Sequence, residues 1–165
     1  MKHILSILVR NHAGVLSHVA GLFARRGYNI ESITAGITED PEISRLTIVV
    51  KGDEHTLEQV SNQLGKLIDV ITIIDLKPTN AIARELAIIT INVDGSKRND
   101  AIQIAQAFKA KIADISENTL TIELTDTEHN INNLIKLLSP YKIVELGRTG
   151  TLALPLRSVL HWQSE

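Results

Sequence analysis

Apolar residues recur along this chain as short runs and helical stripes, in the same order twice. Ile4, Leu5, Ile7, Leu8 and Val9 form a run of strand length interrupted only by Ser6, which predicts a strand over 3–10. Val15, Val19, Leu22 and Phe23 fall on one face at helical spacing and predict a helix over 14–26. Strands are predicted over 30–38 and 43–51, joined by the polar turn Thr38-Glu39-Asp40-Pro41-Glu42. In the second of them Leu46, Ile48 and Val50 lie on one side, and Arg45, Thr47 and Val49 on the other. A helix over 55–67, carrying Leu57, Val60, Leu64 and Leu67, and a strand over 70–76 complete a βαββαβ order.

After the short polar segment Lys77-Pro78-Thr79-Asn80 the order returns, as a repeat of elements rather than of residues. A strand over 85–93, a helix over 98–110 with Ile102, Ala105 and Phe108 inward, and strands over 111–116 and 119–125 are followed by a helix over 127–138 and a strand over 142–147. The alternation of Leu120, Ile122 and Leu124 with Thr121, Glu123 and Thr125 marks a half-buried strand, and Ile131, Leu134, Ile135 and Leu138 mark the last helix. The fold class expected is α+β, two ferredoxin-like sandwiches, each an antiparallel sheet with two helices on one face. The divisions expected are 1–77, a linker at 78–84, and 85–165. A unit this small buries a limited share of its surface, so association is its expected support.

Composition narrows the chemistry. The chain has 165 residues, 44% hydrophobic and 22% charged, an ordinary globular balance. Aromatic residues make up only 3%, too few for stacking nucleobases, and with a net charge of −2 no basic face exists to displace counterions from a phosphate backbone. Nucleic acid is therefore not an expected partner. The absence of cysteine excludes disulfides, iron–sulfur clusters and a cysteine nucleophile. Histidines at 3, 12, 18, 55, 129 and 161 form no metal-binding pair, and no glycine-rich nucleotide loop or G-x-S-x-G is present. Acidic pairs such as Glu39-Asp40 and Asp53-Glu54 read as solvated turns. With no signal peptide and no run long enough to span a membrane, a cytoplasmic protein is expected.

The stretch Asn11-His12-Ala13-Gly14-Val15-Leu16 closes a strand and opens a helix, and Asn29 follows at the next strand. The start of a helix presents unpaired N–H groups and the positive end of its dipole, which suit a carboxylate, while the amide carbonyls of Asn11 and Asn29 suit an ammonium group. Read another way, Asn11 caps a turn, Gly14 relieves strain and Asn29 terminates a helix. His12 and His18 read either as exposed groups or as neighbours that make binding pH-sensitive. Arg45 and Arg148 read equally as strand or turn charges and as contact residues.

The order strand, Asn11-x-x-Gly14-x-Leu16-Ser17, Gly21-Leu22-Phe23 and then Arg26-Gly27-Tyr28-Asn29-Ile30-Glu31-Ser32 resembles the ACT domain of the small, regulatory subunits of acetohydroxyacid synthase (acetolactate synthase). The resemblance continues through Glu39-Asp40-Pro41, Ser44-Arg45-Leu46-Thr47, Gln63 to Val70, Arg84-Glu85-Leu86, Thr121 to Thr125 and Gly147-Arg148-Thr149-Gly150. It departs at His18 and Lys109-Ala110, where the family usually carries arginine and arginine-glycine, and in the tail from Leu152 to Arg157.

This resemblance implies a non-catalytic subunit that activates a thiamine-diphosphate-dependent large catalytic subunit and confers feedback inhibition by valine. It implies homodimers joined through ACT domains, with L-valine held at their interface by Asn11, Ala13, Gly14, Val15, Leu16 and Ser17 of one subunit and Asn29 and Ile30 of the other. Thiamine diphosphate, FAD and magnesium are implied for the catalytic partner, and none for this chain. A stand-alone amino-acid sensor is the alternative.

Overall fold

A computed structural model describes residues 1–157; His161 and the rest of the expected second domain beyond residue 157 lie outside the described residues. The chain divides into two compact units, Met1–Ala83 together with the segment from Thr151 on, and Arg84–Gly150.

In the first unit the elements are β1 (Lys2–Arg10), α1 (Val15–Arg26), β2 (Asn29–Ile37), β3 (Ile43–Lys51), α2 (Glu54–Leu64) and β4 (Val70–Leu76). They form an antiparallel sheet in the order β2-β3-β1-β4. Leu5, Ile7 and Val9 of β1 and Leu46, Ile48 and Val50 of β3 meet Val19 and Phe23 of α1 and Val60 and Leu64 of α2. Each such burial contributes on the order of 1.5–3 kcal/mol. Asp53 starts α2 by accepting the Thr56 N–H at 2.8 Å, and the helix stops at Gly65. The expected extension to residue 67 instead tightens, with Lys66 and Leu67 N–H groups donating three residues back to Gln63 and Leu64.

The second unit contains β5 (Ala81–Asn92), α3 (Arg98–Ala107), β6 (Lys111–Ile115), β7 (Thr119–Asp126), α4 (Glu128–Leu138) and β8 (Ile143–Arg148), with sheet order β6-β7-β5-β8. Both units thus have the ferredoxin-like arrangement expected. The inward face of α3 is centred on the fully buried Ala101 and Ala105, with Ile102 and Phe108 only partly buried at its sides. In α4, Ile131, Leu134 and Leu138 are buried as the helical spacing requires.

One bonding pattern closes both first helices. After α1, Gly27 donates to the Ala24 carbonyl and Tyr28 to that of Phe23, and the two rings meet edge to face at 6.1 Å. After α3, Lys109 donates to Gln106 and Ala110 to Ala105. Gly27 takes φ 68°, and Lys109 must take φ 56°, a left-handed conformation unfavourable for a residue with a Cβ. Lys109→Gly is therefore expected to stabilise the second unit by about 1 kcal/mol, to be read as slower hydrogen exchange at the β5 amides from Ala87 to Ile91.

The division of the chain differs from the expected one in two ways. Residues 78–84 are not wholly a linker, because β5 already begins at Ala81 and the boundary between units falls inside it. The tail also returns to the first unit as β9 (Leu152–Pro155), which pairs with β5, while the Leu156 N–H donates to the Asn80 carbonyl at 2.8 Å. Ala153 N–H lies 3.5 Å from the Thr47 hydroxyl, on the sheet face opposite the helices. On that face Thr47 is 0% and Ser6 1% exposed, so two polar residues opposite the helices are buried. Ser6 accepts from Arg45 at 2.5 Å, which supplies the partner a buried hydroxyl needs.

Candidate effector site

The loop between β1 and α1 is fixed mainly through its backbone. Arg10 N–H donates to the Asp69 carbonyl at 2.9 Å and Asn11 N–H to that of Glu42 at 2.7 Å. The Asn11 side-chain nitrogen donates to the Pro41 carbonyl at 2.8 Å, which leaves its amide oxygen as the acceptor it can offer. Gly14 then takes φ 90°, ψ −14°, and α1 begins with no side-chain cap. No atom lies within 4 Å of where a Cβ on Gly14 would stand. A helix entered this way presents its first-turn N–H groups outward, which suits a small anion.

Around this turn Asn11, Ala13, Leu16 and Ser17 are exposed, whereas the Val15 side chain belongs to the core and has only its main chain to offer a ligand. Asn29 and Ile30 are not beside them. Arg10 pairs with Ile43 at one end of β3, whereas Asn29 pairs with Lys51 at the other. Eight strand residues separate the ends, about 27 Å along the sheet. Asn29 is exposed, and Ile30 packs partly against the first core. A bulge follows it, and the Glu31 carboxylate receives Lys2 and Lys51 ammonium groups, each at 2.7 Å, which holds its carboxyl below the usual range. One chain therefore carries the residues in two groups, at opposite ends of edge strand β2.

The sequence reading missed Asp69. Its carboxylate lies 2.6 Å from His12 Nε2 and 3.5 Å from His18 Nδ1, and the residue is only 7% exposed. The signal was a lone carboxylate directly before the apolar strand that opens at Val70, and a carboxylate buried there requires a polar partner. The hydrogen bond from His12, foremost, holds the Asp69 carboxyl below its usual range. The imidazole of His12 is pushed up, first by the Ala13 carbonyl and then by Asp69. No group of three metal-ligating side chains occurs among the described residues.

In the second unit Arg148 has a structural role. Its Nε and Nη2 donate to the two Glu85 oxygens at 2.7 and 3.0 Å, and Nη1 donates to Asn132 at 2.9 Å. Glu85, 5% exposed, raises the guanidinium pKa further above its already high value.

Residues 5–72, which include the loop, α1 and β2, match the model of the AHAS small subunit-like ACT domain, and residues 84–156 match that of the small subunit of acetolactate synthase. The chain belongs to the acetolactate synthase small-subunit family. Among the family's members, a probable acetolactate synthase small subunit of Methanothermobacter thermautotrophicus is 45% identical over 92% of this chain and 91% of its own length. The acetolactate synthase small subunit of Mycolicibacterium smegmatis is 42% identical over 92% of this chain and 89% of its own. The crystal structure of the small subunit from Thermotoga maritima superposes with a TM-score of 0.88 at 39% identity, covering 94% of this chain and 97% of that one. The ACT domain of the family thus coincides with the unit that holds the uncapped helix, and no helix among the described residues is long and apolar enough to cross a membrane.

Proposed function

We propose that this chain is the non-catalytic regulatory subunit of acetolactate synthase, activating a thiamine-diphosphate-dependent catalytic subunit and conferring inhibition by L-valine bound between two ACT domains. The observation that carries this reading is the division of the site. A helix start without a cap stands at one end of β2, and Asn29 and Ile30 stand at the other. If two copies pair antiparallel along β2 about a two-fold axis, the Asn29 end of each edge meets the Gly14 end of its partner, and two equivalent pockets form. Ile37, 68% exposed near the end of β2, is then covered. In each pocket the first turn of α1 receives the carboxylate, the Asn11 and Asn29 oxygens receive the ammonium group, and Leu16 meets the branched side chain.

Burial of that side chain contributes on the order of 1.5–3 kcal/mol. Inhibition then requires valine to favour one state of the complex over another, a coupling typically of about 1–3 kcal/mol. Thiamine diphosphate, FAD and magnesium belong to the catalytic partner in this reading, and the complex works in the cytoplasm. Reconstitution tests it: adding the chain to the catalytic subunit is expected to raise acetolactate formation, and valine to lower it again. Valine binding with no effect on the catalytic subunit would favour a stand-alone sensor.

A further inference from the structure

Asp69 ties three parts of the candidate site together. Its carbonyl holds the end of β1 through Arg10 N–H, its Oδ1 meets His12 in the loop, and its Oδ2 faces His18 in the first turns of α1. The second ring nitrogen of His12, Nδ1, lies 3.0 Å from the Ala13 carbonyl. Both ring nitrogens therefore face oxygen acceptors. A neutral imidazole has one N–H and would set a lone pair against one of those oxygens, whereas an imidazolium donates to both. From α1, His18 reaches the same Asp69 carboxylate, and Arg10 from β1 opposes protonation of His12.

We infer that Asp69 is a positioning residue of the effector seat, fixing the Asn11–Gly14 loop through His12 and His18, and that amino-acid binding there is linked to protonation of His12. The inference rests on the effector reading above and adds a proton to it. A carboxylate seated at the start of α1 brings a further negative charge close to the imidazolium, so binding above the ordinary imidazole range takes up part of a proton. The sign follows from the raised pKa of His12: its contribution is complete below 6.5 and is lost as pH rises through the higher folded-state value. Asp69, with its carboxyl held low by His12, stays ionised throughout that window.

Calorimetric titration of the whole chain with L-valine tests this, at about pH 6 and about pH 8.5 and in buffers of different ionisation enthalpy. Affinity is expected to fall about three- to tenfold between the two, with proton uptake at the higher pH. In Asp69→Asn, which keeps the side-chain shape, affinity is expected to be lower and the pH at which it falls to shift downward, whereas in His12→Gln the profile is expected to be flat. A second measurement needs no effector: the NMR titration midpoint of the His12 ring is expected to drop in Asp69→Asn. An unmoved midpoint, or a wild-type affinity independent of pH, overturns the linkage and leaves the effector reading standing. A chain whose His12 midpoint moves as expected but which binds no valine at any pH sinks the effector reading, and the proposed role of Asp69 with it.

Discussion

Gly14→Asp is expected to weaken valine binding by at least about 100-fold while leaving the chain folded. Two effects act together. Aspartate tolerates the left-handed conformation better than most side chains, and the space beside Gly14 is open, so neither strain nor collision unfolds the variant. Once there, its carboxylate is placed to cap α1 itself and to repel an incoming carboxylate. A carboxylate already takes up free N–H groups in the turn that leads to α3, where Asp94 Oδ1 accepts from Ser96 and Lys97 N–H at 3.1 and 3.0 Å. Capping contributes about 0.5–2 kcal/mol, which offsets the strain of a side chain at this φ, so hydrogen-exchange protection of the β1 amides is expected to stay level as binding disappears. Gly14→Ala separates the effects: it keeps the N–H groups free, pays the conformational strain, and is expected to lose stability more than affinity. A folded Gly14→Asp chain that still binds valine with wild-type affinity would remove the helix start from the site.

Arg148→Met is expected to destabilise the second unit by about 3–5 kcal/mol, the usual loss when a buried charge is left without its partner. Glu85 is buried on the helix side of β5, and Arg148 brings two parallel hydrogen bonds to it while also bonding Asn132 of α4. Removing the guanidinium leaves a carboxylate with no comparable donor. Replacing both members by apolar residues of similar size, Glu85→Leu with Arg148→Met, is expected to recover most of the loss, because no charge then remains to be desolvated. As the chain holds two units, a single unfolding midpoint is a poor readout, and hydrogen exchange at the β5 amides from Ala87 to Ile91 reports the second unit directly. Unchanged protection in Arg148→Met would reduce the pair to a surface contact.

What the sequence made legible was local. Val15, Val19, Leu22 and Phe23 lie on the buried face of α1 because helical period alone selects them, and β3 spans the expected 43–51 because its alternation is bounded by a polar turn and Gly52. Pairings between residues distant in sequence were not legible. Glu85 and Arg148 are 63 positions apart, and His12 and Asp69 are 57 apart, so no window of helix or strand period contains either pair. The burial of Ser6 and Thr47 was not legible either, because alternation cannot anticipate a cover that comes from the segment after Thr151. β9, four residues ending in a proline, is too short for its pattern to be distinguished from a loop. For the candidate site, the loop and its glycine were visible as a motif. The uncapped helix start and the separation of Asn29 from it required the sheet register.

The return of β9 to the first unit has a consequence for how the protein is made. Residues 1–83 leave the ribosome before the second unit, yet the segment that covers Ser6 and Thr47 emerges only after the whole of that unit. At about 5–20 residues per second that interval is roughly 3–14 s, long compared with the folding of a small α+β unit. The first unit is thus finished after the second, and until the segment from Thr151 has emerged one face of its sheet stays open to water.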